Sequence, residues 1–272
     1  MGMSVNTNVG AMLALQNLNK SNKMLETTQL HITTGLKVNG PKDDAATYAI
    51  AQRMRGDIAG MGAVKTALSN GEATVNVAIT AGKAVADMLT EMKAKVVQAN
   101  QAGLDTASRT ALQNDFTALR DQLTTIVQTA QFNGKNLITS GASNLEVLGS
   151  VQGATISVNA RAMDTTSLGI QTASLSSAAG AATALSQINS AIDSVTSSLA
   201  SFGSSARRIE IQTDFTSKLV DVMKAGVGNL VDADLAEESA NLVALQIKLQ
   251  LGIQALSIGN SGPGLILKLF ER

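Results

Sequence analysis

Residues Asn241–Ile258 read NLVALQIKLQLGIQALSI. It carries one charge, Lys248, and three glutamines spaced four residues apart. Leucines recur every seven residues, which is the repeat of a helix that packs along one side against another helix. The heptad leucines are Leu235, Leu242, Leu249 and Leu256, with Leu245 and Ile253 predicted to fill in between them.

The same stretch carries a second apolar series. Leu249 and Leu251 lie about 200° apart around a helix of roughly 3.6 residues per turn. The stretch therefore predicts a helix that is apolar on two opposite faces. The second series comprises Ala240, Ala244, Ile247, Leu251, Ala255 and Ile258.

The other end of the chain carries a thinner heptad that could cover one of these faces. Its positions are Ala11, Leu18, Leu25 and Ile32. It ends in HITTGLKVNGPKDD, where glycines and Pro41 stop the helix and Asp43 or Asp44 can cap a new one. The first and last helices are predicted to pair.

Composition excludes several classes of protein. The 272 residues carry 21 basic and 21 acidic side chains, so no basic patch favours nucleic acid. The chain has no cysteine, which excludes disulfides and thiolate metal sites. Aromatic residues make up only 2%, so the core must consist of Ala, Leu, Ile, Val and Met, and most of these favour helices.

The middle of the chain reads as long helices around one hairpin. A helical pattern runs from Asp44 to about Ala102, restarts at Asp105, and ends before the turn signal Asn133-Gly134. NLEVLGS and ATISVNA read as two short strands around Gln152-Gly153. Helical spacing returns at Leu185 and continues to Met223.

These patterns predict a mainly α fold. Long antiparallel helices form a coiled-coil or helical-bundle rod, with a small β-hairpin region in the middle of the chain. Residues 1–42 plus 230–272 are predicted to form an inner terminal coiled-coil domain. Residues 43–229 are predicted to form a helical rod domain with the hairpin at about 141–170.

The apolar end has three possible explanations. An ordinary core helix is the commonest meaning of such a stripe. Insertion into a membrane would leave Lys248 and the glutamines in need of partners in lipid. We expect instead that other copies of the chain cover the second face, and that both ends are poorly ordered in an isolated copy. The predicted subunit-contact residues are Leu18, Leu25, Ile32, Leu235, Leu242, Leu245, Leu249, Leu251, Ile253 and Leu256.

No group of residues forms a recognisable catalytic site. His31 is the only histidine, and it is interpreted as a polar residue beside the helix seam. The pairs Asp43-Asp44 and Asp232-Asp234 are interpreted as helix-start residues, because anions suit helix N-termini. We expect no enzyme activity, no metal and no cofactor.

Three separated motifs, in the right order, resemble bacterial flagellin. The first is NLNKSNKMLETTQLHITTGLKVNGPKDDAATYAIAQRMRGDI at residues 17–58, and the second is QTAQFNGKNL at 128–137. The third is DADLAEESANLVALQIKLQLGIQALSIGNSGPGLILKLF at 232–270. The short middle resembles a flagellin that lacks the large outer domains.

The resemblance implies a structural subunit that self-assembles helically into the flagellar filament for swimming motility. It implies a homopolymer with other flagellin copies, contacts with the hook-junction protein and the filament cap, and a cytoplasmic export chaperone at the C-terminal end. It also implies export to the cell exterior without a cleaved signal peptide. Neither nucleic acid binding nor membrane insertion is expected.

Two alternatives to a filament subunit remain. A hook–filament junction protein would share the terminal heptads without forming long homopolymers. A membrane-active or soluble helical signalling protein would be a stable monomer with ordered ends, or would bind liposomes.

Overall fold

A computed structural model describes the backbone of residues 7–270 and the side chains of residues 7–261. It confirms a mainly helical fold with a small antiparallel strand region in the middle. The helices are α1 (Val9–Thr34), α2 (Ala45–Ala99), α3 (Thr106–Thr129), α4 (Ala178–Val231) and α5 (Leu235–Phe270). The strands are β1 (Gln131–Phe132), β2 (Lys135–Asn136), β3 (Leu145–Leu148) and β4 (Thr155–Val158).

The chain divides into two compact units. The terminal unit comprises residues 1–56 and 222–272, and the central unit comprises residues 57–221. The limits therefore fall inside α2 and α4, whereas the predicted domains meet at 42/43 and 229/230. The start of α2 belongs to the terminal unit because Met54 reaches Gly226 near the end of α4. The predicted inner domain also includes residues 1–6 and 271–272, which lie outside the described residues.

Short polar side chains set the helix starts. The carboxylate of Asp44 accepts hydrogen bonds from the backbone N–H groups of Ala46 and Thr47 at 3.0 and 3.1 Å. Asp105 does the same for Ser108 at 2.6 Å. Each bond satisfies a donor that the first turn of a helix leaves without a partner. The predicted helix starts at both aspartates are confirmed.

Two hairpins follow α3. Asn133 and Gly134 have φ of 48° and 75°, which is the backbone that an Asn-Gly hairpin turn requires, and they join β1 to β2. The second hairpin pairs β3 with β4 in antiparallel register, Leu145 opposite Val158 and Leu148 opposite Thr155. The strands predicted from NLEVLGS and ATISVNA are therefore confirmed.

The core of the central unit is built from heptad stripes on three helices. Leu68, Val75, Leu89 and Met92 of α2 have no exposed surface, and neither do Phe116 and Leu123 of α3 or Ile188 and Phe202 of α4. The β3–β4 hairpin packs tightly on α2, because a Cβ added at Gly71 would lie 2.5 Å from a methyl group of Val147. The apolar faces of all three helices are thus covered within one chain.

The fourth helix is longer than its leucine spacing predicts. It begins at Ala178 rather than near Leu185, because Ala181 and Ala184 are buried and extend the apolar stripe with small side chains. The Ser177 hydroxyl accepts a hydrogen bond from Gly180 N–H at this start. The helix also continues past Met223 to Val231, whose side chain is buried in the terminal unit.

Two connecting segments are tied together in the terminal unit. The N–H groups of Lys37 and Val38 donate to the Val231 carbonyl at 2.8 and 3.3 Å. Ala233 N–H donates to the Gly35 carbonyl at 2.9 Å. The segment that follows α1 is therefore bonded to the segment that precedes α5, and this places the two terminal helices side by side.

Truncating Phe202 should destabilise the fold far more than truncating Phe215. Both lie on α4, but Phe202 is 0% exposed and Phe215 is 56% exposed. We expect Phe202→Ala to lower the free energy of unfolding by about 3–5 kcal/mol, as for other buried phenylalanines. Phe215→Ala should cost about 1 kcal/mol or less. Urea denaturation followed by circular dichroism would measure both, and equal losses would contradict this packing.

Asp105 should make the central unit less stable in acid. Hydrogen bonds from the backbone N–H and then the hydroxyl of Ser108 lower the pKa of Asp105 below its ordinary value. Because the folded pKa is lower than the unfolded one, the stabilisation is complete above about pH 4 and is lost as the pH falls through the folded pKa. Asp105→Ala should lower the Tm at pH 7, and the difference from the natural chain should shrink towards pH 2.

Asp105→Asn is the matched control, because asparagine caps a helix about as well as aspartate. Its Tm at pH 7 should stay close to that of the natural chain. A difference for Asp105→Ala that is the same at pH 7 and pH 2 would contradict the role of the carboxylate.

Candidate subunit-contact surface

The first and last helices pack against each other in antiparallel orientation. Asn8 Nδ2 donates to the Gly259 carbonyl at 2.7 Å at one end of the pair. His31 Nδ1 lies 2.7 Å from Glu238 Oε1 at the other end. Between them runs the apolar seam, defined as the half-buried or buried heptad side chains of both helices. They are Leu18, Leu25 and Ile32 of α1, and Leu242, Leu245, Leu249 and Leu256 of α5.

Two predicted heptad positions of α5, Leu235 and Ile253, lie outside the seam because their side chains are exposed. Ile253 was predicted to fill in the α5 heptad, but its side chain is exposed and Gly252 takes the place that faces α1. A Cβ added at Gly252 would lie 3.1 Å from Leu18 Cδ1. Because glycine has no side chain, α5 can approach α1 closely at the level of Leu18. A pattern of apolar residues does not predict a contact made by glycine.

His31 lies beside the seam, as the sequence predicted for this polar residue. Its ring nitrogen pairs with the Glu238 carboxylate, and both side chains are mostly buried. The pair joins α1 to α5 near the connecting segments. Among the described residues no group of three or more histidine, cysteine or acidic side chains is placed to hold a metal ion.

The faces of α1 and α5 that point away from the seam are rich in exposed apolar side chains. The predicted second face of α5, from Ala240 to Ile258, is exposed throughout. We call the following set the outer face: Val9, Met12, Leu13, Leu15, Met24 and Leu30 of α1, with Leu235, Val243, Ile247, Leu251, Ile253 and Ile258 of α5.

The structure thus separates the predicted contact residues into two groups. Leu235, Leu251 and Ile253 belong to the outer face, whereas the other seven lie in the seam within the single chain. Sequence reasoning missed the outer face of α1. The signal was present, because Met12, Leu13 and Leu15 lie off the heptad that starts at Ala11, and a helix with one buried face would not need them.

Helix α5 is also long and apolar enough, over Leu235–Ser261, to cross a membrane by length and composition alone. Only 6% of this apolar stretch is buried within the chain. A single helix of this kind is weak evidence for a membrane protein.

Two family profiles match most of the chain. The one described as "Bacterial flagellin N-terminal helical region" matches residues 5–143, and the one described as "Bacterial flagellin C-terminal helical region" matches residues 185–270. Flagellin FljK of Caulobacter vibrioides is 44% identical over 98% of this chain and 98% of its own length.

The chain belongs to the bacterial flagellin family.

Flagellins are the structural subunits of the bacterial flagellar filament, so this flagellin is a filament subunit that is exported to the cell exterior. Its 272 residues and its full-length match to FljK make it a short form without large outer domains. The three motifs that resembled the family all fall within the matched residues.

Solved structures share the fold of this flagellin. The crystal structure of Bacillus cereus flagellin covers 54% of this chain and 86% of its own, with a TM-score of 0.50 and 22% identity. A structure assigned to a flagellar hook-associated protein of Vibrio parahaemolyticus covers 70% of this chain and 100% of its own, with a TM-score of 0.57 and 13% identity. Because identity is low, these likenesses concern the fold alone.

A cysteine pair can test the seam of this flagellin directly. A Cβ added at Gly252 lies 3.9 Å from Leu18 Cβ, close to the spacing of about 3.8 Å found in disulfides. Leu18→Cys with Gly252→Cys should therefore form an intramolecular disulfide, and the natural chain offers no competing cysteine. We expect faster closure in assembled filaments than in free chains, because the predicted poor order of free ends would separate the two cysteines.

The control is Leu13→Cys with Gly252→Cys, since Leu13 points away from the seam. Mass spectrometry after alkylation of free thiols would measure closure. No disulfide in either state for the Leu18 pair, or equal closure for the Leu13 pair, would contradict the register of α1 and α5.

Proposed function

We propose that this flagellin polymerises through the outer face, and that α1 and α5 form the inner domain of the filament subunit. One observation carries the proposal. Fourteen of the eighteen large apolar side chains exposed among the described residues lie in the terminal unit, whereas only four of the twenty-six buried large apolar side chains do. The terminal unit therefore presents to solvent the kind of surface that the central unit buries.

The physical reason is that two helices can cover only one face of each other. Burial of apolar surface contributes about 25 cal/mol per Å², and clusters of exposed apolar side chains mark interaction sites. Leu251 is 57% exposed and Ile258 is 73% exposed, so each gains from a neighbouring subunit. Copies in a helical filament supply such neighbours on every side.

The polar side chains of α5 favour a protein neighbour over lipid. Gln246, Lys248 and Gln250 are exposed among the apolar residues. A charge or an unpaired amide in hydrocarbon is costly, whereas neighbouring helices and water can supply hydrogen bonds to them. We infer that α5 does not insert into a membrane.

The finer features are proposed from membership of the flagellin family. The chain acts as a structural subunit without enzyme activity, and it leaves the cell without a cleaved signal peptide. Its partners beyond other copies are the hook-junction protein, the filament cap and an export chaperone that covers α5 before assembly. A chaperone at that helix would shield the apolar side chains that the single chain leaves exposed.

Two serines on the outer face should abolish polymerisation while leaving the subunit folded. Ile247→Ser with Leu251→Ser removes apolar surface that the single chain does not bury. We expect the variant to keep the helical content and Tm of the natural chain. Seeded assembly, followed by pelleting and negative-stain electron microscopy, should give filaments from the natural chain and none from the variant.

Val97→Ser is the control, because Val97 is similarly exposed but lies in the central unit. Its assembly should match that of the natural chain. A chain lacking residues 235–272 should not assemble at all. Filaments of normal length from the Ile247/Leu251 variant would refute the outer face as a polymer contact, and α5-dependent binding to liposomes would favour a membrane role.

A further inference from the structure

The central unit carries an exposed apolar ridge. It consists of Ile211 and Phe215, which are one helical turn apart on α4, and Val151 in the loop between β3 and β4. They are three of the four large apolar side chains exposed in this unit among the described residues. The loop is held on α4 by a hydrogen bond from Gln212 Nε2 to the Gly149 carbonyl at 2.8 Å.

The ridge is built into the fold rather than placed on a loose loop. A Cβ added at Gly60 of α2 would lie 3.0 Å from a methyl group of Val151, so the loop packs directly on that helix. A shallow cavity of about 130 Å³ beneath Phe215 is also lined by Met61 and Val64 of α2. None of the residues that line this cavity is charged.

A second uncharged feature lies elsewhere on the same unit. An open groove of about 450 Å³ runs between α2 and the end of α3. Most of its lining is small or apolar, chiefly Val77, Thr80, Ala81 and Ala84 of α2, with Ile126 and Ala130 beside them. An apolar cavity of about 150 Å³ is sufficient to hold a benzene ring, so this groove has room for aromatic and aliphatic side chains together.

The ridge and the groove face different directions. The α2 residues below the ridge are Gly60, Met61 and Val64, and those lining the groove are Val77, Thr80, Ala81 and Ala84. At about 100° per residue, these two sets lie roughly 160° apart around the helix. They are also displaced by roughly 25 Å along α2, at about 1.5 Å per residue. One molecule therefore cannot fill its own groove with its own ridge.

A helical homopolymer needs just such a pair of surfaces. When copies repeat by a screw operation, each contact joins two different patches, one on each copy, and the two must be complementary. An apolar ridge and an uncharged groove satisfy this requirement, because their contact buries apolar surface and leaves no unpaired charge.

We propose that the ridge of one copy seats in the α2–α3 groove of a neighbouring copy in the filament. The proposal rests on filament formation by this flagellin and specifies which surfaces of the central unit meet. It adds to the outer face of the terminal unit a second, independent contact between copies. The polarity of that contact, ridge to groove, gives successive copies a fixed direction.

Cysteine cross-linking in assembled filaments tests the proposal, and the cysteine-free chain gives no background. The paired variants are Ile211→Cys with Thr80→Cys and Ile211→Cys with Thr129→Cys, because Thr80 and Thr129 line the groove from α2 and α3. Each paired variant would be assembled onto seeds in two ways, once by itself and once mixed with a tenfold excess of natural chain. After mild oxidation, filaments made of the variant alone should give a ladder of disulfide-linked oligomers on a non-reducing gel.

The controls separate the possible outcomes. Ile211→Cys with Thr90→Cys should stay monomeric on the gel, because Thr90 is exposed on a different face of α2. Ile211→Cys alone should also stay monomeric, and dimers from it would show a symmetric ridge-to-ridge contact that overturns the proposal. Filaments that incorporate both groove variants without any cross-link would overturn it too, while leaving the filament function intact. Failure of the natural chain to form filaments would instead refute the function.

Discussion

The structure depends on one geometric constraint, which is that two paired helices can hide only one face of each other. Helices α1 and α5 meet along the apolar seam, with Leu245 buried at its centre. Their remaining large apolar side chains are exposed in the described part of the chain. The central unit obeys the same heptad geometry but adds α3 and the β3–β4 hairpin, so its stripes are covered. The same repeat thus produces a closed core in one unit and an open surface in the other.

That difference explains how a subunit can be folded and still be ready to polymerise. The central unit supplies most of the buried apolar surface, and hence most of the stability of a single copy. The terminal unit contributes the outer face, whose burial is deferred to the filament. The backbone bonds from Lys37 and Val38 to Val231, and from Ala233 to Gly35, matter because they bring the two ends of the chain to one place. Without them the outer face would be divided between two separate helices.

Several features of the fold could be predicted from local chemistry. Asp44 and Asp105 cap helices, and Asn133-Gly134 makes a hairpin turn, because each depends on residues close in sequence. The start of α4 could not be predicted from leucine spacing, because its buried residues there are Ala181 and Ala184. Alanine is too small and too weakly apolar to mark a buried position by itself. Gly252 was missed for a related reason. Its place in the seam follows from the close approach of Leu18 on another helix, which no pattern within α5 encodes.

The helical class, the pairing of the chain ends, the two apolar faces of the last helix and the family could all be predicted from the order of residues. These follow from periodicity and from motifs, which are properties of the chain read in order. Which apolar side chains lie in the seam and which remain exposed depends on how the helices pack against each other. Leu249 and Leu251 are equally apolar, yet the position of α1 half-buries the first and leaves the second in solvent. Burial is a relation between elements, so the assembly surface becomes visible only once the helices have been placed.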